Sequence, residues 1–86
     1  MIELKIDGHL VKSKDDLYEV IGQQLPLPDY FGNNLDALHD IITEKTEVPC
    51  VTVNHFKELR HNISGRYLLS FFSMITDCGG EVHILN

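Results

Sequence analysis

Residues 30–44 read YFGNNLDALHDIITE, and this stretch decides the fold because it holds a turn, a helix start and both faces of one helix. Gly32 permits a turn of the backbone that larger residues resist. Asn33 or Asn34 can then cap a helix by accepting a hydrogen bond from a free backbone N–H. The apolar residues that follow recur with a period of about 3.6, which predicts an amphipathic helix ending near 43–45.

Three acidic residues form a row on one side of this predicted helix, at Asp36, Asp40 and Glu44. Successive carboxylates in such a row are about 40° and about 6 Å apart, and each like-charged pair costs roughly 0.2–0.5 kcal/mol. The helix dipole would explain Asp36 alone and solvation would explain Glu44 alone, but the row predicts a surface that meets a positive partner. The opposite, apolar side is formed by Leu35, Leu38, Ile41 and Ile42.

The charge of the chain points to the same kind of partner. The net charge is −6, and residues 29–47 contribute −4 of it through five acidic residues and one lysine. Direct binding of nucleic acid needs Lys and Arg to neutralise phosphates, so nucleic acid is not the expected partner. The acidic balance instead fits a basic protein, or a purely solubilising role.

Length and composition predict one globular domain over residues 1–86. The hydrophobic fraction of 43% is typical of a folded protein. No apolar run approaches the ~20 residues of a membrane span, and the alternating start 1–5 does not resemble a signal peptide. We therefore expect a cytoplasmic protein with no membrane partner, monomeric when free, in which Cys50 and Cys78 are reduced thiols.

The rest of the chain carries further start and stop signals. Ser13 begins a weak capping box for a helix that Pro26 and Pro28 stop. Asn54 is expected to cap a short helix, and His61–Gly65 is expected to be a loop. Strands are predicted over 2–7, 49–53 and 81–85, and the most apolar helix over 65–77.

The predicted order of elements is strand, helix, helix, strand, helix, strand, which is typical of an α/β protein. The connections are long enough for parallel pairing. We predict a three-stranded parallel sheet with the first and last helices packed on it. The last helix has an apolar face at Leu68, Phe71, Phe72 and Ile75, widened by Tyr67, Leu69 and Met74.

No pattern typical of an enzyme site stands out. Asp36, His39 and Asp40, at i, i+3 and i+4, could loosely hold a divalent ion, but tight metal sites usually gather ligands from more than one element. The other histidines are scattered, and none has paired spacing with cysteine. The chain has no phosphate loop or nucleophile elbow. We therefore expect no catalysis, no cofactor and no bound metal.

The segment Leu27–Asp40, LPDYFGNNLDALHD, resembles the signature of the barstar family of small intracellular ribonuclease inhibitors. The similarity covers nearly the whole chain in length and order of elements, and it is close in this long, ungapped segment. It implies a barstar-like fold, a three-stranded parallel sheet packed by helices. It also implies a 1:1 complex with a basic, secreted ribonuclease of the barnase type, in which carboxylates take the places of RNA phosphates.

The resemblance also implies roles for individual residues. Asp40 matches the carboxylate that enters the phosphate site of the enzyme, and Asp36 matches a second acid. Tyr30 matches a loop tyrosine that packs on the enzyme, and Thr43 matches a smaller polar contact. The predicted partner-binding residues are Tyr30, Asn34, Asp36, His39, Asp40, Thr43 and Glu44.

Three positions depart from the family's namesake. His39 stands in place of a tryptophan, Glu44 in place of a glycine, and Met74 in place of an acid on the last long helix. Asp77 lies near that missing acid in the sequence. Because such changes alter the choice of partner, we expect a cognate enzyme related in charge but different in outline. We expect Met74 and Phe31 to pack in or on the core.

Three hypotheses therefore stand side by side. The chain is an inhibitor that shields the producing cell's RNA from its own ribonuclease, a barstar-fold binding or regulatory module with a non-nuclease partner, or a small metal-dependent enzyme. The first predicts tight binding to a basic nuclease that is lost in Asp40→Ala. The second predicts a stable partner without nuclease activity, and the third predicts turnover in the presence of a metal.

Overall fold

The computed structural model describes residues 1–29 and 31–86. Within these residues strands and helices follow one another in the predicted α/β order, and the predicted short helix follows the second strand. The elements are β1 Ile2–Asp7, α1 Lys14–Gln24, α2 Leu35–Glu44, β2 Pro49–Asn54, α3 Phe56–Asn62, α4 Gly65–Asp77 and β3 Glu81–Ile84.

The strands form a parallel sheet in the order β1-β2-β3, so that β2 lies in the centre. The register places Leu4 beside Val51 and Val51 beside Val82. Helix α1 packs against β1, and α4 packs against β2 and β3. The prediction of a three-stranded parallel sheet with the first and last helices packed on it is confirmed.

The core lies between one face of the sheet and the helices. Strand residues alternate between buried and accessible positions, as period-two side chains must when one face is covered. Tyr18 of α1 is fully buried, its hydroxyl is hydrogen-bonded to that of Tyr67, and burial raises its pKa. The buried strand residues are Ile2, Leu4, Ile6, Val51 and Val53.

Serine caps hold the starts of α1 and α4. Ser13 Oγ accepts the Asp16 N–H at 3.2 Å, and Ser64 Oγ accepts the Tyr67 N–H at 3.2 Å. At the end of α1 the Gln24 side-chain amide bonds both the N–H and the C=O of Lys5, at 2.7 and 2.8 Å. The amide thus satisfies the outer edge of β1 as a neighbouring strand would.

The prediction for the segment after β2 was wrong. Asn54 ends β2 instead of capping α3, and His55 precedes α3 in a left-handed conformation with φ 55° and ψ 49° and no side-chain cap. The predicted loop His61–Gly65 is also too long, because α3 continues to Asn62 and α4 begins at Gly65. Ile63, which lies in the short connection between the two helices, is buried.

Two smaller expectations also need correction. Asn33, with φ 50°, takes the left-handed conformation before α2, and Gly32 does not. Leu69 is 66% exposed, so the apolar arc of α4 is narrower than its sequence suggests.

The bond between Val48 and Pro49 is trans. In the part of the chain that the structure describes, no helix combines the length and apolar character needed to cross a membrane.

Candidate partner-binding surface

The start of α2 is held by two asparagines. Of the two candidate caps, Asn33 and Asn34, it is Asn34 that caps the helix, because its Oδ1 accepts the Ala37 N–H at 2.8 Å. Asn33 tolerates its left-handed backbone better than most residues. Its Nδ2 donates to Asp15 Oδ1 of α1 at 3.1 Å. The turn before α2 is therefore tied to another helix.

The loop before α2 packs onto the core through Phe31, as predicted. The Phe31 ring lies 5.5 Å from the Tyr18 ring, centroid to centroid, and its N–H donates to the Pro28 carbonyl at 2.9 Å. Pro26 and Pro28 follow the end of α1 as the sequence indicates. Tyr30, predicted to contact the partner, lies outside the described residues.

Helix α2 turns its acidic side away from the core. Leu38 and Ile42 are buried, and α2 packs against α4, which fixes the rotation of the helix. Asp36, Asp40 and Glu44 are all exposed, and the Asp40 side chain keeps 79% of its accessible area. Among the described residues, none of the three carboxylates takes part in a hydrogen bond, so all three are available to a partner.

Compensation of these charges within the chain is slight. His39 Nδ1 lies 3.9 Å from Asp40 Oδ1, at the limit of an ion pair. Among residues 1–29 and 31–86, Asp36, Glu44 and Asp77 have no ion-pair partner. Glu44 and Asp77 are moreover the last residues of α2 and α4, where the helix dipole disfavours a negative charge.

An open groove of about 460 Å³ lies on the surface between the packed helices α2 and α4. Asp36 and His39 line it from α2, and Asp77 lines it from α4. Met74 lies at its floor with 8% exposure, which confirms the prediction that this residue belongs to the core. The complete lining is Leu35, Asp36, His39, Ser70, Ser73, Met74 and Asp77.

A second groove, of about 180 Å³, lies on the other side of α2. It is bounded by the loop before the helix, through Pro28 and Phe31, and by Asp40 and Glu44 of α2. Ala37 and Ile41 form its apolar floor. The acidic row is thus a ridge between two grooves.

Asp77 and the serines of α4 are the residues that sequence reasoning did not assign. Ser70, Ser73 and Asp77 lie at i, i+3 and i+7 with Met74 between them, so they share one face of α4. That spacing predicts a polar face on α4. It does not predict that this face lies beside Asp36, because their proximity depends on the packing of α2 against α4.

The side chains of Asn34 and Thr43 also form hydrogen bonds within the chain. Asn34 Oδ1 is occupied by the cap, and its Nδ2 lies 3.5 Å from the Gly32 carbonyl. Thr43 Oγ1 donates to the Asp40 carbonyl at 3.0 Å. Each keeps one polar atom for a contact outside the chain, the Asn34 amide as a donor and the Thr43 hydroxyl as an acceptor.

Asp36, His39 and Asp40 do not assemble into a compact group of metal ligands. Within the described residues, two triads place one ligand atom each within 4.8 Å of the others. Neither triad lies on α2, so the geometry does not favour a metal-dependent enzyme at this helix. The two triads are Asp7, His9 and His55, and Cys50, Glu81 and His83.

Comparison with known proteins places this surface in a wider context. The family model described as "Barstar (barnase inhibitor)" matches residues 1–83. A protein of Bacillus subtilis (strain 168), named "Putative ribonuclease inhibitor YrdF", is 29% identical over 82 residues, which cover 95% of this chain and 90% of the relative. Both matches are long enough to include the loop, α2 and the face of α4 beside it.

Proposed function

Because this chain belongs to the barstar family, a family of barnase inhibitors, we propose that it inhibits a basic, secreted ribonuclease of the barnase type by covering the active site with α2 and the preceding loop. Members of the family are inhibitors and not enzymes, which confirms the prediction that the chain has no catalytic function. The observation that carries the proposal is the exposed row Asp36, Asp40 and Glu44 on a helix whose other side is core.

The row acts as a substitute for RNA. A ribonuclease holds the phosphates of its substrate with cationic side chains, and carboxylates about 6 Å apart along a helix can accept the same charge-assisted hydrogen bonds. Asp40, the most central of the three, enters the phosphate site in this proposal. Asp36 and Glu44 bind cations on either side of it.

The two grooves receive parts of the enzyme that flank its active site. On the α4 side the walls are polar and acidic, so His39 and Asp77 contact a basic segment of the partner. On the loop side the floor is apolar, so a side chain with an apolar stem and a cationic head fits beside Asp40 and Glu44. Tyr30, Asn34 and Thr43 complete the contact surface.

The proposed complex contains one inhibitor and one enzyme, and it forms in the cytoplasm of the cell that makes both. There the inhibitor protects cellular RNA from enzyme that has not been exported. His39, Glu44 and Met74 distinguish this surface from that of the family's namesake, so the cognate enzyme differs in outline at these positions.

Affinity capture from an extract and the culture medium of the source organism tests the proposal. Wild-type protein and Asp40→Ala are immobilised in parallel, and the captured protein is assayed for RNA cleavage with and without added free inhibitor. Glu19→Ala is the matched control, because it removes the same charge from an exposed position on α1.

We expect a basic ribonuclease to be retained by wild type and Glu19→Ala, released by Asp40→Ala, and inactive while bound. Capture of a partner without nuclease activity, again dependent on Asp40, would support the regulatory-module hypothesis instead. A partner held equally by all three proteins would show that α2 is not the interface.

A further inference from the structure

Three potential metal ligands meet at the open face of the sheet, away from the acidic surface. The ligand atoms of Cys50, Glu81 and His83 all lie within 4.8 Å of one another. His83 Nε2 is 3.5 Å from Glu81 Oε2. Thiol, carboxylate and imidazole are the three side-chain groups that bind Zn²⁺ in proteins.

The strand register brings these side chains together. Cys50 of β2 is paired directly with Glu81 of β3, and His83 follows Glu81 by two residues, so all three point to the same side of the sheet. The intervening Val51 and Val82 point to the core side. The positions of the ligands are therefore set by backbone pairing and not by flexible loops.

The geometry is close to what a zinc ion needs. At Zn–S of about 2.3 Å and Zn–N or Zn–O of about 2.0–2.2 Å, ligand atoms in a tetrahedral site are about 3.3–3.8 Å apart. Glu81 and His83 are 73% and 53% exposed and can move the remaining distance. Cys50 and Glu81 also line an open groove of about 390 Å³, which gives an ion access to the half-buried thiol.

The second triad has a different explanation. His55 Nδ1 is 2.8 Å from Asp7 Oδ1, which also accepts the His9 N–H at 2.9 Å. The two imidazole rings are stacked, with centroids 3.6 Å apart and planes inclined by 16°. The in-plane lone pairs of stacked rings run side by side and do not converge on one ion. This triad is a hydrogen-bonded turn, and it serves as an internal control.

We propose that Cys50, Glu81 and His83 form a three-ligand site for Zn²⁺ or a similar transition-metal ion, with water in the fourth position. Binding replaces the thiol proton, which passes to solvent, so the site contributes two negative charges toward the divalent ion. The site is independent of the inhibitory surface, because none of its ligands belongs to α2, α4 or the loop before α2.

Titration of the reduced full-length chain with Co²⁺ tests the site, because cobalt bound to thiolate has a charge-transfer band in the near ultraviolet that cobalt bound to carboxylate or imidazole lacks. Competition with Zn²⁺ then gives the zinc affinity. The variants are Cys50→Ser and His83→Ala. The controls are Cys78→Ser, which removes the other thiol, and His9→Ala, which disrupts the second triad. Circular dichroism verifies that each variant is folded.

We expect saturation at one Co²⁺ per chain and loss of the charge-transfer band in Cys50→Ser. Zinc affinity should fall by about tenfold or more in His83→Ala. Both controls should keep the wild-type spectrum and affinity. The proposal is overturned if wild type shows no saturable band, if the band survives Cys50→Ser, or if either control abolishes it.

Discussion

At the scale of the residue, the carboxylates of α2 differ in what they do for the free protein. Asp36 lies in the first turn, where the partial positive charge of the helix end stabilises it. Glu44 lies at the opposite end, where the same dipole is unfavourable. A negative charge retained at a site that destabilises the free chain points to a role in the complex.

This difference predicts opposite effects of two equivalent substitutions. Glu44→Gln should raise the free energy of unfolding by about 0.3–1 kcal/mol, and Asp36→Asn should lower it by a similar amount. Both should weaken binding of the partner. Urea denaturation at low salt measures the first effect and titration with the partner the second. Stability changes of the same sign in both variants would contradict the dipole argument.

Asp7 is one residue that links the stability of the folded chain to acid pH. Its pKa is lowered first by the hydrogen bond from the His9 backbone and second by the one from His55. A carboxyl whose pKa is lower in the folded chain contributes stability above its ordinary value of 3.8, and this contribution disappears as the pH falls through the folded value.

Asp7→Asn should therefore be less stable than wild type at neutral pH, and the difference should shrink below pH 3.8. Denaturation curves of both proteins at several pH values provide the measurement. Glu19→Gln is a suitable comparison, since Glu19 is an exposed acid on another element, α1. A difference between Asp7→Asn and wild type that does not change with pH would exclude the proposed origin.

At the scale of the element, α2 depends on its cap. The first four N–H groups of a helix have no partner within it, and the Asn34 side chain accepts one of them, that of Ala37, at 2.8 Å. The position of Asn34 also sets where the acidic row begins. Because Asn34 is also a predicted partner contact, the two roles need to be separated.

Asn34→Ala should cost about 1 kcal/mol of stability through loss of the cap, whereas Asn34→Ser should keep most of it. Thermal denaturation compares the two variants. If Asn34→Ser binds the partner as wild type does, the role of the residue is to cap. If it binds as weakly as Asn34→Ala, the amide contacts the partner. Equal stability of Asn34→Ala and wild type would contradict the cap.

The elements also show what sequence reasoning can and cannot reach. The starts of α1, α2 and α4 were predictable because Ser13, Asn34 and Ser64 cap them locally. The start of α3 was not, since its N–H groups are satisfied from far away. Asn86 Oδ1 accepts the His55 N–H at 2.9 Å, and the Asn86 carbonyl accepts the Phe56 N–H at 2.9 Å.

In the candidate surface, too, local features were predictable from the sequence and features that depend on tertiary packing were not. The acidic row of α2 was predictable from a period of four within one helix, and Met74 was correctly placed in the core. The contribution of Asp77 was left open, because only tertiary packing brings α4 beside Asp36. The meeting of Cys50 with His83 likewise depends on the register of β2 and β3.

At the scale of the whole molecule, charge is distributed unevenly. Of the net charge of −6, residues 29–47 contribute −4. The negative electrostatic potential of the protein is therefore concentrated on the side that carries α2. Such a field attracts a basic partner before contact and is screened within about 10 Å at 0.1 M salt. Long-range attraction therefore acts on association more than on dissociation.

Raising the ionic strength from about 0.05 M to about 0.5 M should slow association with the proposed ribonuclease partner by about tenfold or more. The dissociation rate should change much less, because desolvated contacts are screened weakly. Stopped-flow mixing at several salt concentrations separates the two rates. An association rate that is indifferent to salt would mean that the acidic surface does not guide the encounter.

The central claim is that Asp40 occupies the phosphate site of the enzyme, and its direct test is the dissociation constant of the purified complex. We predict that Asp40→Ala weakens binding by at least about 30-fold, as expected for the loss of about 2 kcal/mol or more at the centre of an interface. Glu19→Ala should change it by less than about threefold, with the unfolding free energy of both variants near that of wild type. Equal dissociation constants for the two variants would contradict the account.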